Sequence, residues 1–117
     1  MWKLPFAVLL LFSAGCPAFM GNDVLFKCSG LFKDDPSIGQ LVEGNWCAGY
    51  IGGLNDMAVL QAGLTKVAFY CSPKKEGLEA GQVIRVFLLW LESHPAVLHE
   101  SARFLFLMAM RDSFLCE

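Results

Sequence analysis

The sequence predicts a small all-α domain, a disulfide-linked bundle of about four helices, and three observations carry that expectation. Apolar residues recur at helical spacing in several separate segments, and no run of segments alternates apolar and polar residues as strands do. The chain is 117 residues long, about the size of one domain. Once an N-terminal leader is set aside, its cysteines number an even four, as disulfide frameworks in small exported proteins do.

Composition narrows the class. Hydrophobic residues make up 56% and charged residues 17% of the chain, with a formal net charge of -2 and a mean hydropathy of +0.50. Intrinsic disorder needs the opposite balance. A near-neutral chain also lacks the cationic field that grips nucleic acid or anionic lipid. The hydropathy must therefore come from a leader, a membrane span or a partner-covered surface.

Residues 1–18 read as a cleaved signal peptide. Lys3 supplies the positive start, Leu4 to Phe12 the apolar stretch, and Ser13 to Ala18 the small residues around a cut after Ala18. Nine apolar residues fall short of the ~20 that span a bilayer. Lipoprotein processing at Cys16 is the alternative, because Ser13-Ala14-Gly15-Cys16 resembles a lipobox, although Ser13 stands where Leu or Val is expected. Residues 19–117 then form a single domain retaining Cys28, Cys47, Cys71 and Cys116. Three connectivities exist for four cysteines; the weak preference is Cys28–Cys116 with Cys47–Cys71. With no Cys-x-x-Cys pair, a zinc site is not expected.

Along the chain, Gly21-Asn22-Asp23 caps a short helix toward Cys28, and Gly30 to Gly39 reads as a polar loop. Ser37-x-x-Gln40 is a capping box opening a long helix. Cys47, Tyr50, Ile51, Leu54 and Ala58 form its buried stripe, and it ends near Gly63. Gly44, Gly49, Gly52 and Gly53 each cost up to ~1 kcal/mol in a helix, so close approach by a neighbouring helix or a bridge is expected to offset them. Leu64 to Tyr70 reads as extended. A third helix runs from Glu79 to Ser93, and a fourth starts at Pro95, burying Leu98, Ala102, Leu105, Phe106 and Ala109. The fourth helix also carries Phe104, Leu107, Met108 and Met110 on its other side. A helix apolar all round is buried all round, so it is either the core helix or a contact face for a second subunit or partner.

Catalytic chemistry is scarce. His94 and His99 are the only neutral-pH acid–base side chains, the disulfides use the thiols a cysteine nucleophile needs, and no HExxH, GxSxG or Walker motif occurs. The chain is expected to be no enzyme and to hold no cofactor or metal.

Several motifs stand in a fixed order: Gly21-Asn22-Asp23-Val24-Leu25 before Cys28, then Trp46-Cys47-Ala48-Gly49-Tyr50-Ile51-x-Gly53-x-x-Asp56 and Tyr70-Cys71-Ser72-Pro73. Gly81-Gln82, Trp90-Leu91-x-x-His94-Pro95, His99, Ala102 and Phe114-Leu115-Cys116 follow. In that order they resemble the opening, central helix, turn and closing helix pair of a known family, the Rap/Tai immunity proteins of type VI secretion systems. Glu79, Ala96 and Leu115 depart from the pattern at helix ends only. The resemblance marks Gly49, Tyr50, Gly53, Asp56, Pro73, Gln82, His94 and Pro95 as framework residues. It implies a small helical periplasmic antitoxin, often dimeric, that covers the catalytic cleft of a peptidoglycan amidase. None of its motifs marks the toxin contact, so those residues come from physical reading: Phe104 and Met108 on helix four, or the Lys74-Lys75-Glu76 tip. A periplasmic acid-stress chaperone of the HdeA kind is the competing class, being small, helical, disulfide-linked and exported too.

Overall fold

A computed structural model describes residues 18–73 and 77–117. The expected signal peptide up to residue 17, Cys16 included, and the Lys74-Lys75-Glu76 tip lie outside the described residues. Among the described residues four α-helices follow one another: α1 Gly21–Cys28, α2 Ile38–Thr65, α3 Ala80–Ser93 and α4 Ala102–Ser113, with a 3-10 turn at Pro95–Val97 between the last two. No strand occurs among the described residues, and the fold is all-α as the periodicity predicts. None of these helices is long and apolar enough to cross a membrane.

Local chemistry sets the helix starts. Met20 N donates to Asp23 Oδ2 at 2.8 Å, opening α1. The capping box forms at α2, where Ser37 N donates to Gln40 Oε1 at 3.0 Å and Gln40 N donates to Ser37 Oγ at 3.2 Å. That helix passes the expected stop at Gly63 and closes at Lys66. Lys66 takes the left-handed conformation with φ 60° and donates its N–H to Ala62 O at 2.9 Å. The segment read as extended is thus helical through Thr65, because Thr65 Oγ1 bonds back to Gln61 O at 2.9 Å and also accepts from Val67 N. Helix four begins later than Pro95: the proline starts the 3-10 turn, and α4 waits for Ser101, whose hydroxyl accepts from Phe104 N.

The core lies where α1, α2, α3 and α4 converge. Val24, Cys47, Ile51, Phe87, Leu91, Ala102, Ala109 and Met110 are wholly buried there. Phe106 presents its edge to Phe87 with ring centroids 5.4 Å apart, and Tyr70 packs on its other side at 6.1 Å. On α2 the stripe is less uniform than its spacing suggests: Cys47 and Ile51 are buried, whereas Tyr50, Leu54 and Ala58 are half-buried against the core.

The bridges are Cys28–Cys47 and Cys71–Cys116, which overturns the preferred pairing. The reason is packing: α1 lies directly on the first half of α2, placing Cys28 and Cys47 Cα atoms 5.3 Å apart. Meanwhile the C-terminal tail returns to the loop after α2, where Cys71 N donates to Phe114 O. The glycine expectation is also corrected. Leu31 closes on Gly44, but a Cβ at Gly49, Gly52, Gly53 or Gly63 would meet nothing within 4 Å. Among the described residues no other helix comes within 4 Å of such a Cβ.

Candidate partner-binding site

The second half of α2 runs past the core, and α4 does not close against it. Between them lies a groove of about 450 Å³. Its walls are Leu54, Met57, Ala58 and Gln61 from α2, Phe69 from the loop that follows, and Ser101, Arg103, Phe104 and Leu107 along α4, with Phe106 among the lining residues. Arg103 is the one charged residue of this lining. It is exposed and makes no ion pair among the described residues. Gln61 donates through Nε2 to Thr65 Oγ1 at 2.8 Å, while its Oε1 is buried without a hydrogen-bond partner.

Beside the groove stands an aromatic stack. Trp46 and Tyr50, one turn apart on α2, lie nearly parallel with centroids 5.0 Å apart, and Phe19 sets its edge against both. Phe19 is held there because its carbonyl accepts from Ala102 N and Met20 bridges to Ser101. Burial raises the Tyr50 pKa, and Arg103 pulls it the other way. Lys27 sits 5.0 Å over the Trp46 ring and pairs with Glu43 at 2.9 Å. Trp, Tyr and Arg beside an apolar cleft is the residue mix that dominates protein–protein binding energy.

The structure divides the expected contact residues. Phe104 is half out of its helix surface at 54% exposure and lines the groove. Met108, one turn on, is half-buried and does not line it. Helix four is thus a core helix with one exposed aromatic. Met57 and Phe69 were not singled out from sequence, since only the fold brings them next to Phe104.

Of the residues expected to form the framework, Tyr50 lies in the aromatic stack and His94 and Pro95 lie at the junction after α3. His94 caps α3, stacks on Trp90 at 4.0 Å and holds Nδ1 2.6 Å from the Trp90 carbonyl; Trp90 Nε1 donates to Asp112 Oδ2, tying α3 to α4. Pro95 opens the 3-10 turn. Gly49, Gly53, Asp56, Pro73 and Gln82 are exposed. His99 faces solvent beside Glu100 at 3.5 Å. Among the described residues no group of His, Cys, Asp and Glu is arranged to hold a metal.

Four helices, two disulfides and an apolar cleft flanked by aromatics define a small disulfide-linked all-α domain. The family model of the Rap1a immunity proteins matches residues 20–116, and the chain belongs to that family. No curated protein matches the chain.

Proposed function

We propose that this protein is the immunity partner of a type VI secretion effector that cleaves peptidoglycan as an amidase. It is exported with residues 1–18 removed, works in the periplasm, and protects the cell wall by occupying the toxin's catalytic cleft without chemistry of its own. Family membership supports the immunity role. The observation that carries the binding mode is the apolar groove between α2 and α4 with Arg103 at its edge. An apolar anchor from the toxin fills such a cleft, and a carboxylate beside that anchor meets the guanidinium. The disulfides suit an oxidising compartment.

The test is titration calorimetry with the purified amidase encoded beside this chain's gene. Saturable binding that silences amidase turnover on isolated peptidoglycan is expected, with Arg103→Glu or Phe104→Glu weakening it at least tenfold. No binding to that amidase overturns the reading. N-terminal sequencing of the exported protein is expected to begin at Phe19; a lipid-modified Cys16 as first residue would instead assign it to a membrane surface.

A further inference from the structure

Two cavities share Phe69 as a wall. The groove between α2 and α4 carries Arg103; a second cavity of about 270 Å³, bordered by the C-terminal tail at Phe114 and Leu115, carries Arg111. No carboxylate lines either cavity among the described residues. Both arginines are exposed, and neither makes an ion pair among those residues. The chain as a whole has a formal net charge of -2, so two unpaired cations beside apolar walls make a local positive strip on an acidic protein.

The strip has a spacing that selects its ligand. Arg103, Leu107 and Arg111 recur at every fourth position of α4 and follow one line of the helix. The two arginines therefore stand about 12 Å apart along the axis at 1.5 Å per residue. Leu107 lies midway, half-buried and lining the groove. An extended chain advances about 3.3 Å per residue and turns every second side chain to the same side. Residues i, i+2 and i+4 of such a segment span about 13 Å on one face, which matches the strip.

We infer that the two cavities together take one extended segment of the pattern acidic-x-apolar-x-acidic. Its apolar side chain rests on Leu107, Phe104 and Phe69, the last two 54% and 47% exposed, and its two carboxylates meet Arg103 and Arg111. This chain does not supply the segment itself. No two of its eleven Asp and Glu residues stand four apart, and residues 1–17 contain none. Neither the leader nor a second copy carries the pattern, so the occupant is a segment of a different protein. On the immunity reading, which this step rests on, that protein is the amidase, and Arg111 joins Arg103 as a determinant of which amidase is recognised.

Fluorescence anisotropy with the labelled peptide Ser-Glu-Thr-Leu-Thr-Glu-Ser tests the strip without the amidase; its threonines favour an extended chain. Saturable binding is expected, weakening as salt is raised. Glutamine in place of both glutamates is expected to weaken it about tenfold, and Arg111→Glu by a similar factor. Moving the second glutamate one residue inward turns it to the opposite face and is expected to cost as much as removing it. The double variant Arg103→Glu, Arg111→Glu is expected to prefer the peptide with lysines in place of glutamates, a reversal that a loss of folding does not produce. Failure of the wild type to bind, or equal binding of the glutamate, glutamine and shifted peptides, overturns the inference. Displacement of the peptide by phosphatidylglycerol vesicles also overturns it, assigning the strip to a lipid surface. With the amidase itself, Arg111→Glu is expected to weaken binding about tenfold. Equal binding of wild type and Arg111→Glu overturns this inference and leaves the immunity reading standing, whereas an amidase that binds neither overturns the immunity reading.

Discussion

Tyr70 donates its hydroxyl proton to Asn55 Oδ1 at 2.7 Å, tying the loop after α2 back onto the helix it has just left. The ring is buried against Phe106. Burial is the main reason the Tyr70 pKa is pushed up to about 12, and the nearby Asp56 carboxylate adds to it. A folded-state pKa above the unfolded value of about 10 means the native state holds a proton that the unfolded chain gives up first. Stability from this group is therefore complete below pH 10 and is lost as pH climbs through 12. Urea unfolding at pH 9 and pH 11.5 is expected to show a falling midpoint, with a shallower fall in Tyr70→Phe. An equal pH slope in both proteins would assign the alkaline loss to other groups.

The two bridges differ in shelter. Cys28 and Cys47 are buried at 2% and 0% exposure between α1 and α2, whereas Cys116 is exposed at the chain's end and Cys71 is half-buried. Dithiothreitol is expected to open Cys71–Cys116 first, leaving a species in which only that pair takes up alkylating agent. In chain-entropy terms the bridges, separated by 19 and 45 residues, contribute about 3 and 4 kcal/mol respectively. Peptide mapping after graded reduction checks the order. Before reduction, thiol titration of the denatured exported protein should find none free among these four.

Two phenylalanines two residues apart on α4 should behave oppositely. Phe106 is 1% exposed with its ring edge-on to Phe87, and Phe106→Ala is expected to destabilise by ~3–5 kcal/mol. Phe104 projects into the groove, and Phe104→Ala is expected to change stability by ~0.5 kcal/mol or less while weakening toxin binding. Denaturant melts of both variants, run beside the calorimetry, separate core from contact. A large stability loss in Phe104→Ala would make the groove wall structural.

How much of this was legible beforehand depends on the range of each interaction. The Ser37–Gln40 box and the α3 stripe of Val83, Ile84, Phe87 and Leu91 lie within one helix, and sequence spacing specifies them fully. The αL stop at Lys66 is less legible: a glycine three residues earlier was the natural signal, yet the Thr65 hydroxyl carries the helix beyond it. Cysteine pairing depends on which helix α1 packs against, which spacing does not encode. The groove was half visible. Phe104 stood out as apolar excess on α4, but Met57 and Phe69 look unremarkable until the fold brings them opposite it. The glycines of α2 called for a packing reason; Leu31 supplies it at Gly44, whereas among the described residues nothing lies within 4 Å of a Cβ at Gly49, Gly52 or Gly53.

Gly30 provides the strictest steric test of how α1 leads into α2. It is buried, and a Cβ there would lie 2.5 Å from Gln40 Cβ and 2.7 Å from its Cγ. Cβ cannot rotate out of the way, so the first turn of α2 must shift. Gln40 is also half of the capping box, accepting from Ser37 N through Oε1, so the shift breaks the cap as well. Gly30→Ala is expected to cost ~1–3 kcal/mol from overpacking, plus about 1 kcal/mol of lost capping. Gly81→Ala is the matched control, since its Cβ would meet nothing within 4 Å in the first turn of α3, and a gain of up to ~1 kcal/mol is expected there. Chemical denaturation of the two variants distinguishes the sites by sign. Equal behaviour would mean that the loop from Gly30 to Ser37 relaxes freely and does not dictate where α2 begins.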